Sequence, residues 1–385
     1  MPASIHLFRR ERWHSSLDTE AVPGTAGLRL GLAPEIMLRD DARRRRLAQP
    51  TEPPPPANRR EILRAALDLF THGELHIGGL GTQSGTDFAH AMRDTAGLPP
   101  ELTARWCALL DGVVATTRPR GGPDRLTLIY LPGNTFTCLD SAFAAVLGGG
   151  TLWLRPSRRE PVSAARFVAA LLAAGWPAGR IGFYPTAPHL LPTLIAATDE
   201  QVLYGGPAMA RLAGDHPGVV VHGPGRGLAV VPADADPEEV ADRLTELVAA
   251  DSGRFCRNVC TIACLGDPRP VAESCARRLD SITVDPPDAR WPLAATGDDA
   301  YSLAAVIDAG LGPDDVRMTR RDPVAHVAAR TWLLPTLALV RYRPDHPLLG
   351  CELPFPFASV TGVDQTQLSA LRAQSLFVHE IPGKD

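Results

Sequence analysis

The sequence predicts an α/β fold: a doubly wound parallel sheet followed by a second α/β domain. Three observations predict it. The strand candidates, such as "LTLIYLP" (126–132) and "TLWLRP" (151–156), are unbroken apolar runs rather than alternating ones, as strands covered on both faces must be. Amphipathic segments of helical length lie between them, which parallel pairing requires of its crossovers. After Pro232 the pattern restarts with an acid-led helix in "DADPEEVADRLTELVAAD", the charge order that a helix dipole favours. A chain of 385 residues suits two domains better than one core.

Residues 1–59 read as a flexible arm, with "RRRR" at 43–46 and "PPPP" at 53–56. The basic run reads as a solvated segment or as a contact for an acidic partner. From Arg60 the spacing of Ile62, Leu63, Ala66, Leu67 and Phe70 puts one apolar face on a helix, and a second helix follows around 100–113. The first domain, 60–232, then alternates. "LDSAFAAVL" and "VSAARFVAALLAAG" are its helices, the latter closed by Gly175. "IGFYP" and "QVLYGG" are strands, "AMARLAG" a helix, and "GVVVHG" and "GLAVVP" strands again. The second domain, 233–385, holds the acid-led helix, the stretch "DSGRFCRNVC" (251–260), a β-like "NVCTIACLG", a further helix, a weakly patterned region (280–325) and the strand "TLALVRY".

Composition removes several function classes. Lys384 is the only lysine, so neither a Schiff-base cofactor lysine nor the Gly-Lys-Ser/Thr of a phosphate-binding loop is available. A net charge of -4 and a pI near 6.3 argue against a nucleic-acid surface. No apolar run approaches the roughly 18 residues of a membrane span. Seven cysteines, an odd number, behind a polar and charged start point to reduced thiols and a cytoplasmic location.

Four stretches, taken in order, resemble the aldehyde dehydrogenase superfamily. "YLPGNTF" is similar to its strand followed by a loop asparagine, and "LWLRPSRREP" to its strand ending in a basic residue, Pro and Ser. "DSGRFC" resembles its nucleophile loop and "CELPFP" its Glu-x-Phe-Gly-Pro segment. Asn134 and Cys256 lie 122 positions apart, and Cys256 and Glu352 lie 96 apart, close to the family's spacing. "VLYGGPAMARLAG" and "VVVHGPGRGLAVV" look closer to the acyl-CoA reductase branch, typified by the fatty-acid reductases of luminous bacteria.

The resemblance implies an aldehyde-dehydrogenase-like fold with a cofactor domain and a catalytic domain. It makes Cys256, otherwise an inert buried thiol, a thiolate nucleophile whose tetrahedral adduct needs two donors for its oxyanion, its own N–H and the side-chain amide of Asn134. Asn134 also reads as a turn residue after Pro132 and Gly133. Arg254 and Arg257 flank the thiol and would lower its pKa if they face it. Arg155, with Pro156 and Ser157, stands where the family contacts the adenosine ribose. Its guanidinium there would grip a 2′-phosphate, so NADPH (or NADH) is the expected cofactor. Gly205 and Gly206 would offer N–H groups to the pyrophosphate, or form a plain strand-to-helix turn. Glu352 would hold the nicotinamide ribose, or be an exposed loop glutamate.

Cys260 and Cys264 read as core residues on one face of a strand. With Cys256 they are evenly spaced, but no nearby His completes a metal set; no metal is expected.

Two departures shape the expected activity. Oxidising members carry a glutamate general base where this chain has His222, so hydrolysis of an acyl-enzyme should be slow and exchange with another thiol favoured. His222 is either that base, with its ordinary pKa near 6.5, or a packed strand-end residue. Only 33 residues follow Glu352, fewer than the family usually has. That implies an open substrate tunnel and leaves the oligomeric state undetermined. The expected function is NAD(P)H-dependent reduction of an acyl thioester, with acyl-CoA or an acyl-carrier protein as partner. Aldehyde oxidation to acid or thioester and a non-catalytic binding module are the alternatives.

Overall fold

A computed structural model describes residues 3–47, 51–213, 216, 218–296, 299–327 and 329–383. Two compact units divide the chain, Met1–Gly223 and Pro224–Asp385.

The first unit is built on a seven-stranded sheet. In chain order its strands are β1 (Leu7–Arg9), β2 (Arg12–His14), β3 (Leu126–Tyr130), β4 (Thr151–Arg155), β5 (Ile181–Phe183), β6 (Glu200–Tyr204) and β7 (Val219–His222), and their spatial order is β7-β6-β3-β4-β5-β1-β2. β3 to β7 are parallel, while β1 and β2 add an antiparallel edge. Helices Glu35–Leu47 and Leu191–Ala197 pack on one face, with Leu38, Leu191 and Leu194 against Leu128 and Leu203. Asp140–Gly148 and Val162–Ala173 pack on the other. The doubly wound sheet expected from the apolar runs is present.

The flexible arm is not. Five short strands and the helix Glu35–Leu47 occupy residues 4–47, and Ile5, Leu7 and Phe8 are core residues. Arg9 makes a two-pronged contact with the buried Asp41, which also accepts from the Tyr184 hydroxyl at 3.0 Å. The basic run lies on that helix, where Arg45 donates to the Asp124 carbonyl and Arg46 to that of Ala196. Two- and three-residue strands rich in arginine carry no readable period, which is why the segment resembles a solvated arm.

The second unit holds a six-stranded sheet of β8 (Gly227–Val231), β9 (Val259–Cys264), β10 (Val316–Arg317), β11 (Thr336–Leu339), β12 (Phe357–Gly362) and β13 (Val378–Glu380), in the order β10-β11-β12-β9-β8-β13. Only the β10–β11 pair is antiparallel. Helices Pro237–Ala249 and Pro268–Ser281 bury their apolar stripes on one face, and Gln365–Gln374 covers the other through Leu368 and Leu371. Because β8 pairs with β9, the division falls at Gly223/Pro224 and not after Pro232. The weakly patterned region contains a helix, Ala300–Gly310, and short strands of a three-stranded sheet. No helix among the described residues is long and apolar enough to cross a membrane.

Buried arginines lock the first unit. Arg166 is 0% exposed and donates to the carbonyls of Phe70 (2.6 Å), Leu69 (3.2 Å), Gly73 (2.7 Å) and Gln83 (2.8 Å). Three of these acceptors lie at the C-terminal end of helix Pro56–His72, where carbonyls lack intrahelical partners and the dipole favours a cation. Burial lowers its pKa to about 10, which leaves it protonated at neutral pH. Replacing Arg166 with Met strands several buried acceptors at roughly 1 kcal/mol or more each, so a loss of about 3 kcal/mol is expected in urea unfolding. Arg166→Lys, with a point charge and no fork, should fall between. A change under about 0.5 kcal/mol in the Met variant would contradict this account.

Candidate functional site

The second unit builds a narrow turn around Cys256. Helix Pro237–Ala249, capped by Asp236, is followed by three consecutive left-handed residues, Asp251 (φ 53°), Ser252 (φ 58°) and Gly253 (φ 67°). Such a backbone costs about 1–2 kcal/mol for each non-glycine residue, and tertiary contacts hold it. Ser252 Oγ accepts the Ala294 N–H at 2.8 Å, and buried Asp251 accepts from Arg257 at 3.3 Å. Gly253 is required, since a Cβ there would lie 2.5 Å from Pro356 N and 2.7 Å from the Phe355 carbonyl carbon.

Asn258 then closes the turn. Its Oδ1 accepts the Phe255 N–H at 2.8 Å, its own N–H donates to the Phe255 carbonyl at 2.9 Å, and its Nδ2 donates to the carbonyls of Leu247 (3.1 Å) and Ala250 (2.9 Å). Cys256 sits on this turn with its side chain exposed. Sequence reasoning missed Asn258 as a support, because an asparagine before a strand looks like any turn residue.

The flanking arginines are engaged with other groups. Arg254 is buried and donates to the Ala295 carbonyl at 3.3 Å, with burial lowering its pKa to about 10. Arg257 pairs with Asp251 and lies 4.9 Å from the Phe255 ring centroid. Cys260 and Cys264 are core residues of β9, and burial pushes both thiols up to about 12, as it does Cys275. Among the described residues no group of three His, Cys, Asp or Glu is placed to hold a metal ion.

Glu352 belongs to the same neighbourhood. Its Oε1 accepts the Arg226 N–H at 2.7 Å, and desolvation of the carboxylate raises its pKa against the pull of the Arg226 and Gly225 N–H groups.

In the first unit, β3 has β4 on one side and β6 on the other. The chain winds both ways from it, so the topological switch point lies between β3 and β6, and such sheets take ligands at the carboxyl ends there. Half-buried Asn134 lies in the loop after β3. Gly133 lets that loop touch the one after β4, since a Cβ would lie 2.5 Å from Ser157 Oγ; Ser157 Oγ accepts the Arg159 N–H. Gly205 and Gly206 follow β6. The Gly205 N–H donates to the His222 carbonyl at 3.1 Å and Pro207 has no N–H, so the expected pyrophosphate seat is reduced to Gly206.

Arg155 requires a clearer correction. It is 3% exposed, donates to the carbonyls of Pro156 (2.8 Å) and Thr186 (2.7 Å), and lies 4.1 Å from the Tyr130 ring centroid. It presents no open fork to a 2′-phosphate, and a preference for NADPH loses its basis there.

His222 is exposed at the end of β7 and stacks on Tyr204, its register partner, at 4.7 Å and 14°. The Tyr204 hydroxyl bonds Ser141 Oγ. Asp140, at the start of the same helix, is raised by desolvation and lowered by Ser141 and by the nearby His222. The histidine is thus neither packed nor loose; a ring holds it at the carboxyl end of β7.

No protein-family model and no curated protein matches the chain, whereas solved structures match along nearly all of it. An NAD-dependent benzaldehyde dehydrogenase from Corynebacterium glutamicum superposes with TM-score 0.77 at 15% identity, covering 99% of this chain and 90% of that one. It is the aldehyde dehydrogenase fold. Methylmalonate-semialdehyde dehydrogenase from Oceanimonas doudoroffii gives 0.77 at 16% identity, covering 95% and 82%. The NADP-dependent glyceraldehyde-3-phosphate dehydrogenase from Bacillus halodurans C-125, complexed with NADP, gives 0.75 at 17%, covering 97% and 84%.

The cysteines should sort by burial. Iodoacetamide at pH 8 is expected to label Cys256 first in the folded protein, while Cys260, Cys264 and Cys275 stay unlabelled until it unfolds. A thiol whose folded pKa is raised from 9.0 to about 12 adds stability that is complete below pH 9 and lost as pH rises toward 12. Peptide mass mapping checks the order, and early labelling of Cys264 would contradict it.

Proposed function

We propose that the chain is an NAD(P)H-dependent oxidoreductase that reduces an acyl thioester, carried on CoA or a carrier protein, to an aldehyde. The observation that carries the reading is the Cys256 turn, an exposed thiol on a backbone pinned by Asn258, Asp251 and Ser252. Neighbours of the same fold are NAD- and NADP-dependent aldehyde dehydrogenases. The topological switch point, with Asn134 after β3 and Gly206 after β6, suits a dinucleotide, although Arg155 and the Gly205 N–H do not serve it.

The Cys256 thiolate attacks the thioester carbonyl, the carbon–sulfur bond to the carrier breaks, and the carrier leaves as a thiol after taking a proton. When bound, the cofactor supplies the hydride that reduces the acyl-enzyme. The resulting hemithioacetal collapses to aldehyde and returns the electron pair to Cys256 sulfur. The Cys256 N–H and Asn134 are assigned the oxyanion on the resemblance. On the resemblance His222 falls in or near the place of the carboxylate base, which disfavours water attack on the acyl-enzyme.

Oxidation of an aldehyde fits the same residues. The specific observation in its favour is His222, exposed and ring-stacked, which as neutral imidazole would accept a proton from water.

Incubation with acyl-CoA and acyl-carrier thioesters, without cofactor, should add one acyl mass to the protein and none to Cys256→Ala. With cofactor, that variant should lose at least about 10³-fold in turnover, and the product should be aldehyde. No acyl gain, with acid formed from aldehyde, would turn the reading to oxidation. Neither result would leave a binding module.

A further inference from the structure

The loop 224–227 links Glu352 to the Cys256 turn. Arg226 is left-handed at φ 47°, a backbone that a non-glycine residue keeps only when its surroundings hold it. Glu352 Oε1 accepts its N–H at 2.7 Å, and its Nη1 donates to Gln374 Oε1 at 3.2 Å. Gly350, also left-handed at φ 69°, leaves room for its side chain, since a Cβ there would lie 3.2 Å from Arg226 Cδ.

On its other side the same loop presses on the turn. A Cβ on Gly225 would lie 2.0 Å from the Cys256 carbonyl oxygen and 3.1 Å from its Cβ, and one on Gly227 would lie 2.2 Å from the Asn258 carbonyl oxygen. A continuous line of contact therefore runs from the Glu352 carboxylate through residues 225–227 to the backbone that carries the thiol.

We propose that Glu352 is a positioning residue for Cys256, fixing loop 224–227 as the backstop against which the Cys256–Asn258 turn is set. This role is separate from any grip on a ribose, because Oε1 holds the Arg226 N–H while a carboxylate keeps further acceptor sites for a ligand hydroxyl. It rests on contacts inside one unit and holds whether or not Cys256 accepts thioesters.

Hydrogen exchange of the full chain, without nucleotide or substrate, tests it through local opening. In Glu352→Ala, peptides covering 224–227 and 255–258 should exchange at least fivefold faster than in the unmutated protein. In Glu352→Gln, whose amide oxygen still accepts, they should stay within about twofold. Unchanged exchange at 255–258 in the Ala variant overturns the proposal. So does a rise spread evenly into strand β9 and helix Pro237–Ala249, which would make the carboxylate a general support. If the Ala variant does not fold, Gly225→Ala carries the test with Glu352 intact: its methyl must displace the turn and accelerate 255–258 at least fivefold, and unchanged exchange there overturns the proposal.

Discussion

A guanidinium surrounded by backbone carbonyls organises the first unit. Burying a cation without a hydrogen-bonded carboxylate is ordinarily unfavourable by several kcal/mol. Arg166 avoids that penalty because the carbonyl ends of helix Pro56–His72 already carry partial negative charge and need donors. Arg180 does the same for the carbonyls of Pro123 and Gly149, and Arg59 for those of Pro54 and Leu147. Arg166 ties helix Val162–Ala173 to the end of helix Pro56–His72, and Arg180 ties the entry of β5 to the entries of β3 and β4. An ammonium could not replace them, since its three donors radiate from one point while a guanidinium spreads five across a plane. A chain with one lysine thus has cations suited to this form of internal bonding.

The second unit solves a different problem, presenting an exposed cysteine on a backbone tied down by hydrogen bonds. Asn258 supports the turn from beneath, Ser252 and Asp251 fix the reversal before it, and Gly225 closes it from behind. Cys260 and Cys264, a few residues on, show the opposite environment: enclosed, protonated and inert. One short segment therefore contains both a cysteine placed for chemistry and cysteines that serve as small core residues.

The succession of strands and helices in residues 126–222 and their parallel pairing were legible, because unbroken apolar runs with helical spacers admit few other arrangements. The first 47 residues were not, since strands as short as Leu7–Arg9 and Arg12–His14 are specified by their partners. Gly227–Val231 reads like the strands before it, and only its pairing with Val259–Cys264 assigns it to the other unit. At the site, residue types were readable while the direction of their donors was not. Arg155 looks like a phosphate ligand until its N–H groups are found on Pro156 and Thr186, and Gly205 looks like an anion seat until its N–H is found on His222. The Cys256 stretch stood out because "DSGRFC" resembles a known nucleophile loop, while the left-handed run at Asp251 and Ser252 that precedes it has no sequence signal, since neither is a glycine.

Gly253 faces the peptide joining Phe355 to Pro356 with no room for a methyl group, so the stretch that presents the thiol and the stretch that follows Glu352 are shaped against each other. Neither can be remodelled alone. A lineage that reshaped residues 351–356 to accept a new ligand would have to do so around a fixed glycine far away in sequence, and any drift at that glycine would be felt at both. The two motifs are thus one packed piece of the structure, in which a change in either backbone is felt by the other.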